Sequence, residues 1–240
     1  MAETSQFNLP LLSGNQAQKS VTVNEALSIL DAVAQLRVVS ATTITPPLVA
    51  ADGDAYLIPT GATGAWFGED GKLAIHANGG WRFVIPKLGW HAFNIETGTS
   101  QLFDGTDWLP STLAATPSGT ATEYEIIELD FDLTAGPVLT TPSMIPANAQ
   151  VVGVTGRITQ EITGTLSAWS LGVEGSTPAP NRYSTGLGTA LNSYVLGMTS
   201  APTTYYEDTP LMLTATGGDF ATGQVRFAIH YVTLVPPRAV

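Results

Sequence analysis

The sequence predicts a mainly β protein with three parts: an N-terminal tether with one short helix, a small β-hairpin module and a C-terminal antiparallel β-sandwich of jelly-roll type. Charged residues make up only 12% of the chain, whereas 24 Gly and 16 Pro supply many turns. Several segments of the second half alternate apolar and polar residues, the pattern of strands with one face in a core. With 240 residues and 44% apolar content, the chain can fill one large or two small cores.

Residues 1–43 form the predicted tether and helix. Residues 1–19 are polar and irregular apart from a short apolar cluster, which docking onto another subunit or protein would bury. This cluster consists of Phe7, Leu9, Leu11 and Leu12. Thr22 and Glu25 have the spacing of a capping box, and an apolar helical stripe continues to about Leu36. The pattern leaves two interpretations open, a helix packed on its own domain or a helix at an oligomer axis.

Residues 44–110 form the predicted hairpin module, which begins with a strand at Ala55–Ile58. Asn78-Gly79 and Asp104-Gly105 are typical of type I′ hairpin turns, because both central positions of that turn need positive φ. Four tryptophans lie within this module: Trp66, Trp81, Trp90 and Trp108. Two strands alone lack a core, so we interpret these rings as core residues rather than as ligand platforms.

Residues 111–122 are small, polar and uncharged, which is the composition of a linker. The sandwich is predicted over residues 123–240. Its first strand alternates apolar and acidic residues up to Leu133, and its last strand, Gln224–Val235, places every second residue on one apolar face. Further predicted strands are Val151–Ile162, Ser167–Val173 and Pro210–Thr216. Roughly seven or eight strands give a domain of the size of many sugar-binding, lectin-like modules.

Charge and composition exclude several classes of partner. Nine Lys and Arg against 20 Asp and Glu give a net charge of −11, which repels nucleic acid and anionic membranes. The absence of Cys excludes disulfides and fits synthesis in a reducing bacterial cytosol. No signal-peptide pattern opens the chain and no run of about 18 apolar residues occurs, so we expect no membrane insertion. Work outside the cell would require another route of release, such as lysis.

Motifs of common catalytic sites are missing, so we expect no enzyme and no cofactor. The sequence has no Gly-x-Ser-x-Gly and no phosphate-binding loop. His76, His91 and His230 do not have the spacing of metal ligands, which favours structural imidazoles and predicts no metal. Glycan hydrolysis needs two carboxylates across a cleft, but Asp130 with Asp132 and Glu207 with Asp208 are more simply interpreted as solvated positions.

Carbohydrate binding is the better supported chemistry. A sugar presents an apolar face ringed by hydroxyls, which aromatic rings and hydrogen-bonding side chains recognise together. Two predicted loops supply this mixture. The primary candidates are Arg182, Tyr183, Tyr205, Tyr206 and Asp208, and the secondary candidates are Asn181, Tyr194 and Trp169. The alternative for each tyrosine is that it closes the end of the sandwich or faces a neighbouring subunit. An acidic glycan would need a local positive patch from Arg157, Arg182 or Arg226.

The segments from Leu9 to Val33 and from Asp52 to Trp90, followed by LFDGTDWLP, resemble a domain family of unknown function. It occurs in tail-fibre and head-spike proteins of alphaproteobacterial prophages and gene transfer agents. The resemblance covers about the first 110 residues and rests on the NQAQK…NEAL and ATGAW…DGK…GGW blocks in order. The C-terminal half, with NRYSTGLG and TPLMLTATGG, is similar to the tails often attached to this domain.

The resemblance implies a spike or fibre subunit on the surface of a phage-like particle that helps attachment to a bacterial surface polysaccharide. A gene transfer agent head spike would be the nearest match, with a tail fibre as the alternative. Its N-terminal segment would bind another particle protein, and the chain would form a homo-oligomer, because several weak sugar sites on one axis gain avidity. Trimers and pentamers both fit. A purely structural connector or decoration protein, or less readily a glycan-degrading enzyme, would be the competing functions.

Overall fold

The computed structural model describes Thr4, Leu11 and residues 19–175 and 178–239, with side chains of the helix described from Val23 onward. Phe7, Leu9 and Leu12 of the predicted docking cluster lie outside the described residues. The chain divides into two compact units. Unit 1 contains the described residues up to Ala121 together with those from Pro236 on, and unit 2 comprises Thr122–Val235. The predicted boundaries at 43, 110 and 122 stay predictions.

Unit 1 begins with helix α1, Lys19–Ala34, close to the predicted span. Its buried residue Ala32 joins a core cluster with Leu36 and side chains of the strands that follow, so part of the apolar stripe packs on its own unit. Arg82 Nε donates to Glu25 Oε1 at 2.5 Å, which ties the helix to a hairpin strand of the same unit. Val23 and Leu30 remain exposed. Among the described parts of the chain, no helix is long and apolar enough to cross a membrane.

Two small sheets complete unit 1. Their strands are β1 Arg37–Val38, β2 Ala55–Leu57, β3 Leu73–Ala77, β4 Gly80–Val84, β5 His91–Asn94, β6 Thr99–Phe103 and β7 Trp108–Pro110. The next strand, β8 Thr112–Ala115, belongs to neither sheet. One sheet has the order β2-β3-β4, and another has the order β1-β5-β6-β7, in which β1 and β5 are parallel. Strand β2 is buried throughout. A short 3₁₀ helix, Gly64–Trp66, lies between β2 and β3.

The two predicted hairpin turns differ. Asn78 and Gly79 have φ of 53° and 73°, which confirms the type I′ turn between β3 and β4. The Asp104-Gly105 prediction is wrong: the loop between β6 and β7 has four residues, and only Gly105 of that pair has positive φ. The reason is that the Asp104 carboxylate accepts the backbone N–H groups of Thr106 and Asp107 and so stabilises a wider loop.

The tryptophans of unit 1 are core residues, as the sequence predicts. Trp66 is fully buried, and its ring centroid lies 5.0 Å from that of Trp81 and 5.2 Å from that of Tyr56. Trp90 and Trp108 pack against a second cluster, built around α1 and the two sheets. Small hairpins have little apolar surface of their own, so these rings add to an interior that is otherwise built from aliphatic side chains.

Unit 2 is an antiparallel β-sandwich, which confirms the predicted fold class. Its strands are β9 Ala121–Leu133, β10 Val138–Ile145, β11 Gln150–Gly164, β12 Ala168–Val173, β13 Ala179–Leu187, β14 Tyr194–Thr204, β15 Thr209–Thr216 and β16 Phe220–Val235. One sheet has the order β10-β15-β12-β13, and the other contains β14-β11-β16-β9. Counted from β9, these orders are 2-7-4-5 and 6-3-8-1, which is the strand order of a jelly roll.

The two sheets enclose one continuous core. Large, fully buried side chains come from both sheets: Leu171, Leu211 and Leu213 from one, and Ile158, Phe227 and Ile229 from the other. The inward face of β9 and of β16 consists of the alternating apolar residues that the sequence places there. Alternation follows from the period of two in a strand, so the same residues that predict the strands form the core.

Two predicted segments differ in structure. Residues 111–122, predicted as a linker, contain β8 and the first two residues of β9, with a turn in which Thr116 N–H donates to Thr120 O. Asn181, Arg182 and Tyr183 were expected in a loop but lie on strand β13. Their polar sequence does not alternate clearly, and pairing with the buried strand β12 determines their conformation.

Candidate functional site

An open cavity of about 550 Å³ lies at one end of the sandwich in unit 2. The end of β12, the start of β13 and the loop that joins β14 to β15 line it, and Tyr205, Tyr206 and Arg182 are among its walls. Strands β14 and β15 lie in opposite sheets, so the loop that joins them crosses this end of the sandwich beside the connection between β12 and β13. Three primary candidates, Arg182, Tyr205 and Tyr206, therefore share one concave surface although Arg182 lies far from the two tyrosines in sequence.

Backbone contacts hold the tyrosine loop in place. Asn148, in the turn between β10 and β11, donates its N–H to Tyr205 O at 2.5 Å, and Tyr205 N–H donates to Ala149 O at 3.0 Å. Asp208 Oδ1 accepts the N–H of Ala147 at 2.9 Å. Asp208 does not line the cavity and instead fastens the loop that carries the two tyrosines. A binding surface fixed in this way loses little entropy when a ligand binds.

Tyr183 and Tyr205 form one hydrogen-bonded pair, with 3.0 Å between their hydroxyl oxygens. Tyr183 is buried in the core of the sandwich, whereas Tyr205 is half-buried and lines the cavity. Burial raises the pKa of the Tyr183 phenol strongly, the bond to Tyr205 adds to the rise, and the charge of Arg182 opposes it. Tyr183 therefore stays neutral, and its hydrogen bond to the Tyr205 hydroxyl holds the Tyr205 ring in position.

Tyr206 and Arg182 give the cavity an exposed ring and a cation. The Tyr206 side chain is 82% exposed, so its ring is free to contact a ligand. Arg182 directly precedes buried Tyr183 on β13, and its guanidinium lies close enough to the Tyr183 hydroxyl to oppose the rise in the pKa of that phenol. Its Nε is buried and has no hydrogen-bond partner within the described residues. A buried donor without a partner is costly, so this N–H is suited to an oxygen of a bound molecule.

Two carboxylates also line the cavity, Glu174 and Glu207. Both residues are exposed, and neither forms an ion pair with a cation of the described residues. Thr140 Oγ1 donates to Glu174 Oε2 at 2.6 Å, which leaves the other oxygen of that carboxylate open. From its sequence context, Glu207 is predicted only as a solvated turn residue, and no role is predicted for Glu174. A charged residue directly after the buried strand β12 is the signal that identifies Glu174.

The secondary candidates lie elsewhere. Trp169 is fully buried, its Nε1 donates to Gly188 O at 2.8 Å, and its ring packs near Phe220 and Phe227. It is a core residue with no ring face open to a sugar. Asn181 is exposed on β13 and Tyr194 is exposed on β14, but neither lines the cavity. Of the eight candidates, three line the cavity: Arg182, Tyr205 and Tyr206. The sequence leaves this open, because strand order and side-chain direction decide which side chains reach the cavity.

Histidines form no cluster at this end of the sandwich. His230 Nε2 lies 3.1 Å from Thr155 Oγ1, and His76 Nδ1 lies 3.1 Å from Asp52 Oδ1 in unit 1. Across residues 19–175 and 178–239, no group of three or more His, Asp or Glu side chains is arranged to hold a metal ion. The described cavity therefore offers rings, hydroxyls, one cation and two carboxylates, which is the chemistry of a polar organic ligand.

Comparison with known proteins finds one family model that matches part of unit 1. Residues 23–109 match the family described as "Protein of unknown function (DUF2793)". The DUF2793 match covers most of α1 and ends within β7, so the cavity of unit 2 lies outside it. No curated protein matches the chain.

Two solved structures are similar to about half of the chain. The chain is 14% identical to the "Acidic stable capsid structure of Helicobacter pylori bacteriophage KHP30", with a TM-score of 0.32 over 49% of this chain and 98% of that chain. It is 22% identical to the "Cyanophage Pam1 capsid asymmetric unit", with a TM-score of 0.28 over 48% of this chain and 84% of that chain. Scores this low do not establish a common fold.

Proposed function

We propose that this protein is a non-enzymatic adhesion subunit of a phage-like particle that binds a bacterial surface polysaccharide through unit 2. The observation that carries the binding role is the cavity of about 550 Å³ that combines Tyr205, Tyr206 and Arg182. Its volume falls in the range of about 300–1,000 Å³ that is usual for small-molecule sites. Rings for the apolar face of a sugar and donors for its hydroxyls stand side by side there.

The particle role rests on the residues of the first half. The ATGAW…DGK…GGW block lies within the DUF2793 match, and the sequence resemblance of that region is to head-spike and tail-fibre proteins. We place the protein as a head spike of a gene transfer agent, with a tail fibre as the near alternative. On this proposal the N-terminal segment binds another particle protein, and the subunits assemble as a trimer or a pentamer. Light scattering on the purified chain measures the copy number.

A strongly acidic polysaccharide is disfavoured as the ligand. Of the three arginines that could attract one, Arg226 is paired with Asp130 at 2.6 Å, and Arg157 donates to Asn192 O at 2.9 Å. Only Arg182 lines the cavity, where it stands against two glutamates. With a net charge of −11 on the whole chain, the field around the site is negative.

A second candidate function, that of a purely structural connector, is favoured by one exposed row on strand β14. Tyr194, Leu196 and Met198 all point outward, and each is more than 60% exposed. The neighbouring strand β11 places only Gly153 and Thr155 beside Met198 and Leu196, so no large side chain covers them. Leu196→Glu would disrupt an interface built on this row. Loss of assembly with polysaccharide binding retained would assign the row to subunit packing and the cavity to adhesion.

The adhesion proposal is tested with the full chain on bacterial cells and on their purified surface polysaccharide. Tyr206→Ala removes the most exposed ring of the cavity, and Tyr194→Ala removes an exposed ring outside it. Stacking of one ring on a sugar is an aromatic contact worth about 0.5–1.5 kcal/mol or more, so we expect Tyr206→Ala to weaken binding by about threefold to tenfold. Equal binding by both variants, or no binding by the parent chain, would refute the proposal. Absence of shortened polysaccharide after long incubation is the matching check for the non-enzymatic part.

A further inference from the structure

The cavity contains more negative than positive charge, and its carboxylates are unused. Glu174 and Glu207 both line it, Arg182 is the one cation among its described walls, and no ion pair within 4.0 Å joins any of the three to another described residue. Among the described residues, the hydrogen bond from Thr140 to Glu174 is the one side-chain hydrogen bond that these carboxylates accept. Two carboxylates that line one cavity and form no ion pair among the described residues are complementary to a positive group on a ligand.

Aromatic rings stand beside these carboxylates. Tyr205 lies in the same wall, held by Tyr183 and by the backbone of residues 148 and 149, and Tyr206 is adjacent in the loop. The face of a tyrosine ring attracts an ammonium group, and carboxylates close to the ring strengthen this attraction. A fixed ring, an exposed ring and two open carboxylates together form a site for an amine rather than for an anion.

Arg182 supplies the remaining requirement. Its buried Nε needs an acceptor, which an ammonium group cannot provide but a hydroxyl or ring oxygen can. The residues that line the cavity are therefore complementary to a compact, partly apolar ligand that carries an amine and several oxygen acceptors. An amino sugar has all three.

We propose that the saccharide bound in this cavity carries a free, non-acetylated amino group. This inference rests on the proposed function, because it specifies the class of sugar that the same cavity binds. The ammonium contacts Glu174, Glu207 and the tyrosine faces, while the sugar oxygens accept from Arg182. Acetylation of the amine removes its charge and its attraction to the carboxylates, so the site discriminates between a free and an acetylated amino sugar.

The test uses the full chain and three soluble oligosaccharides of equal length and linkage, derived from chitosan, chitin and cellulose. They differ only in the substituent of the second ring carbon, which is an ammonium, an acetamido or a hydroxyl group. Calorimetry at about pH 6, where carboxylates are ionised, measures each affinity. We expect the chitosan oligosaccharide to bind about tenfold or more tightly than the other two. Glu174→Gln and Glu207→Gln should each reduce this preference several-fold, because each removes one negative charge from the cavity lining.

Non-specific attraction to an acidic protein is controlled with Glu161→Gln. Glu161 is exposed on β11, outside the cavity, and its substitution changes the net charge by the same amount. Equal loss in Glu161→Gln and Glu207→Gln would overturn the inference, as would equal affinity for all three oligosaccharides. In the second case the proposed function survives, because a saccharide still binds and Tyr206→Ala still weakens it. If none of the three oligosaccharides binds, the amine inference fails. The proposed function is then decided separately, by comparing how strongly Tyr206→Ala and Tyr194→Ala bind the bacterial polysaccharide.

Discussion

Replacing Trp169 tests whether this residue stabilises the core of unit 2, as its position indicates, or binds sugar, as its sequence context suggests. The side chain is fully buried, and its Nε1 donates to Gly188 O at 2.8 Å. Trp→Ala changes at such sites cost about 3–5 kcal/mol, because the lost transfer free energy and the cavity add together. For a domain of about 100 residues, 1 kcal/mol corresponds to roughly 4 °C in Tm. We therefore expect Trp169→Ala to lower the Tm of unit 2 by about 12–20 °C.

Trp169→Phe separates packing from the hydrogen bond. It keeps a ring but loses the donor and some volume, so we expect a loss of about 1–3 kcal/mol, or roughly 4–12 °C. Tyr194→Ala, at an exposed position, is the control and should stay within about 2 °C. Differential scanning calorimetry gives all three values. A Tm of Trp169→Ala within about 2 °C of the parent would refute the reasoning, and a folded Trp169→Phe that loses all polysaccharide binding would return Trp169 to the site.

Three further predictions test packing and charge. Gly172→Ala should prevent folding of unit 2 or lower its free energy of unfolding by more than about 3 kcal/mol, because the added Cβ would lie 1.9 Å from Ala179 O. Gly188→Ala, whose Cβ would lie 3.8 Å from the nearest atom, is the matched control, and urea titration measures both variants. Tyr183→Phe should lower the free energy of unfolding by about 0.5–1.5 kcal/mol and weaken polysaccharide binding, because the Tyr205 hydroxyl loses its hydrogen-bond partner at 3.0 Å. Unchanged affinity in a calorimetric titration with the polysaccharide would show that Tyr205 does not depend on this bond. Asp104 makes unit 1 acid-sensitive: burial alone would raise its pKa, but N–H bonds from Asp107 and Thr106 and the Arg238 guanidinium outweigh burial and lower the pKa. The stability that the Asp104 carboxylate contributes is present above about pH 4 and is lost as the pH falls through the lowered pKa. Asp104→Asn should therefore flatten the acid unfolding curve below about pH 4, as measured by tryptophan fluorescence. Parallel curves for the variant and the parent chain would contradict this.

The strands of the sandwich are largely legible in the sequence. Alternation from Glu123 to Leu133 and from Gln224 to Val235 predicts β9 and β16, and it also predicts which side chains are buried. Asn78-Gly79 predicts its turn for the same reason, since the requirement for positive φ is local. These features depend only on neighbouring residues, and a single sequence contains them.

The same local rules fail where a distant partner determines the conformation. Residues 181–183 lack clear alternation and become a strand because they pair with β12. Asp104-Gly105 has the composition of a two-residue turn, but the Asp104 side chain accepts two backbone N–H groups and widens the loop. Propensity gives way to specific hydrogen bonds in both cases.

For the candidate site, the sequence predicts the types of residue but not their arrangement in space. The sequence by itself determined that Arg182, Tyr205 and Tyr206 are polar-aromatic residues outside the strongest strand patterns, and that the chain carries a net charge of −11. Only the tertiary structure decided that these three line one cavity, that Glu174 and Glu207 join them, and that Trp169 is buried in the core. The physical reason is that strand order brings together loops that are far apart along the chain, whereas periodicity reports only which face of its own strand a residue occupies.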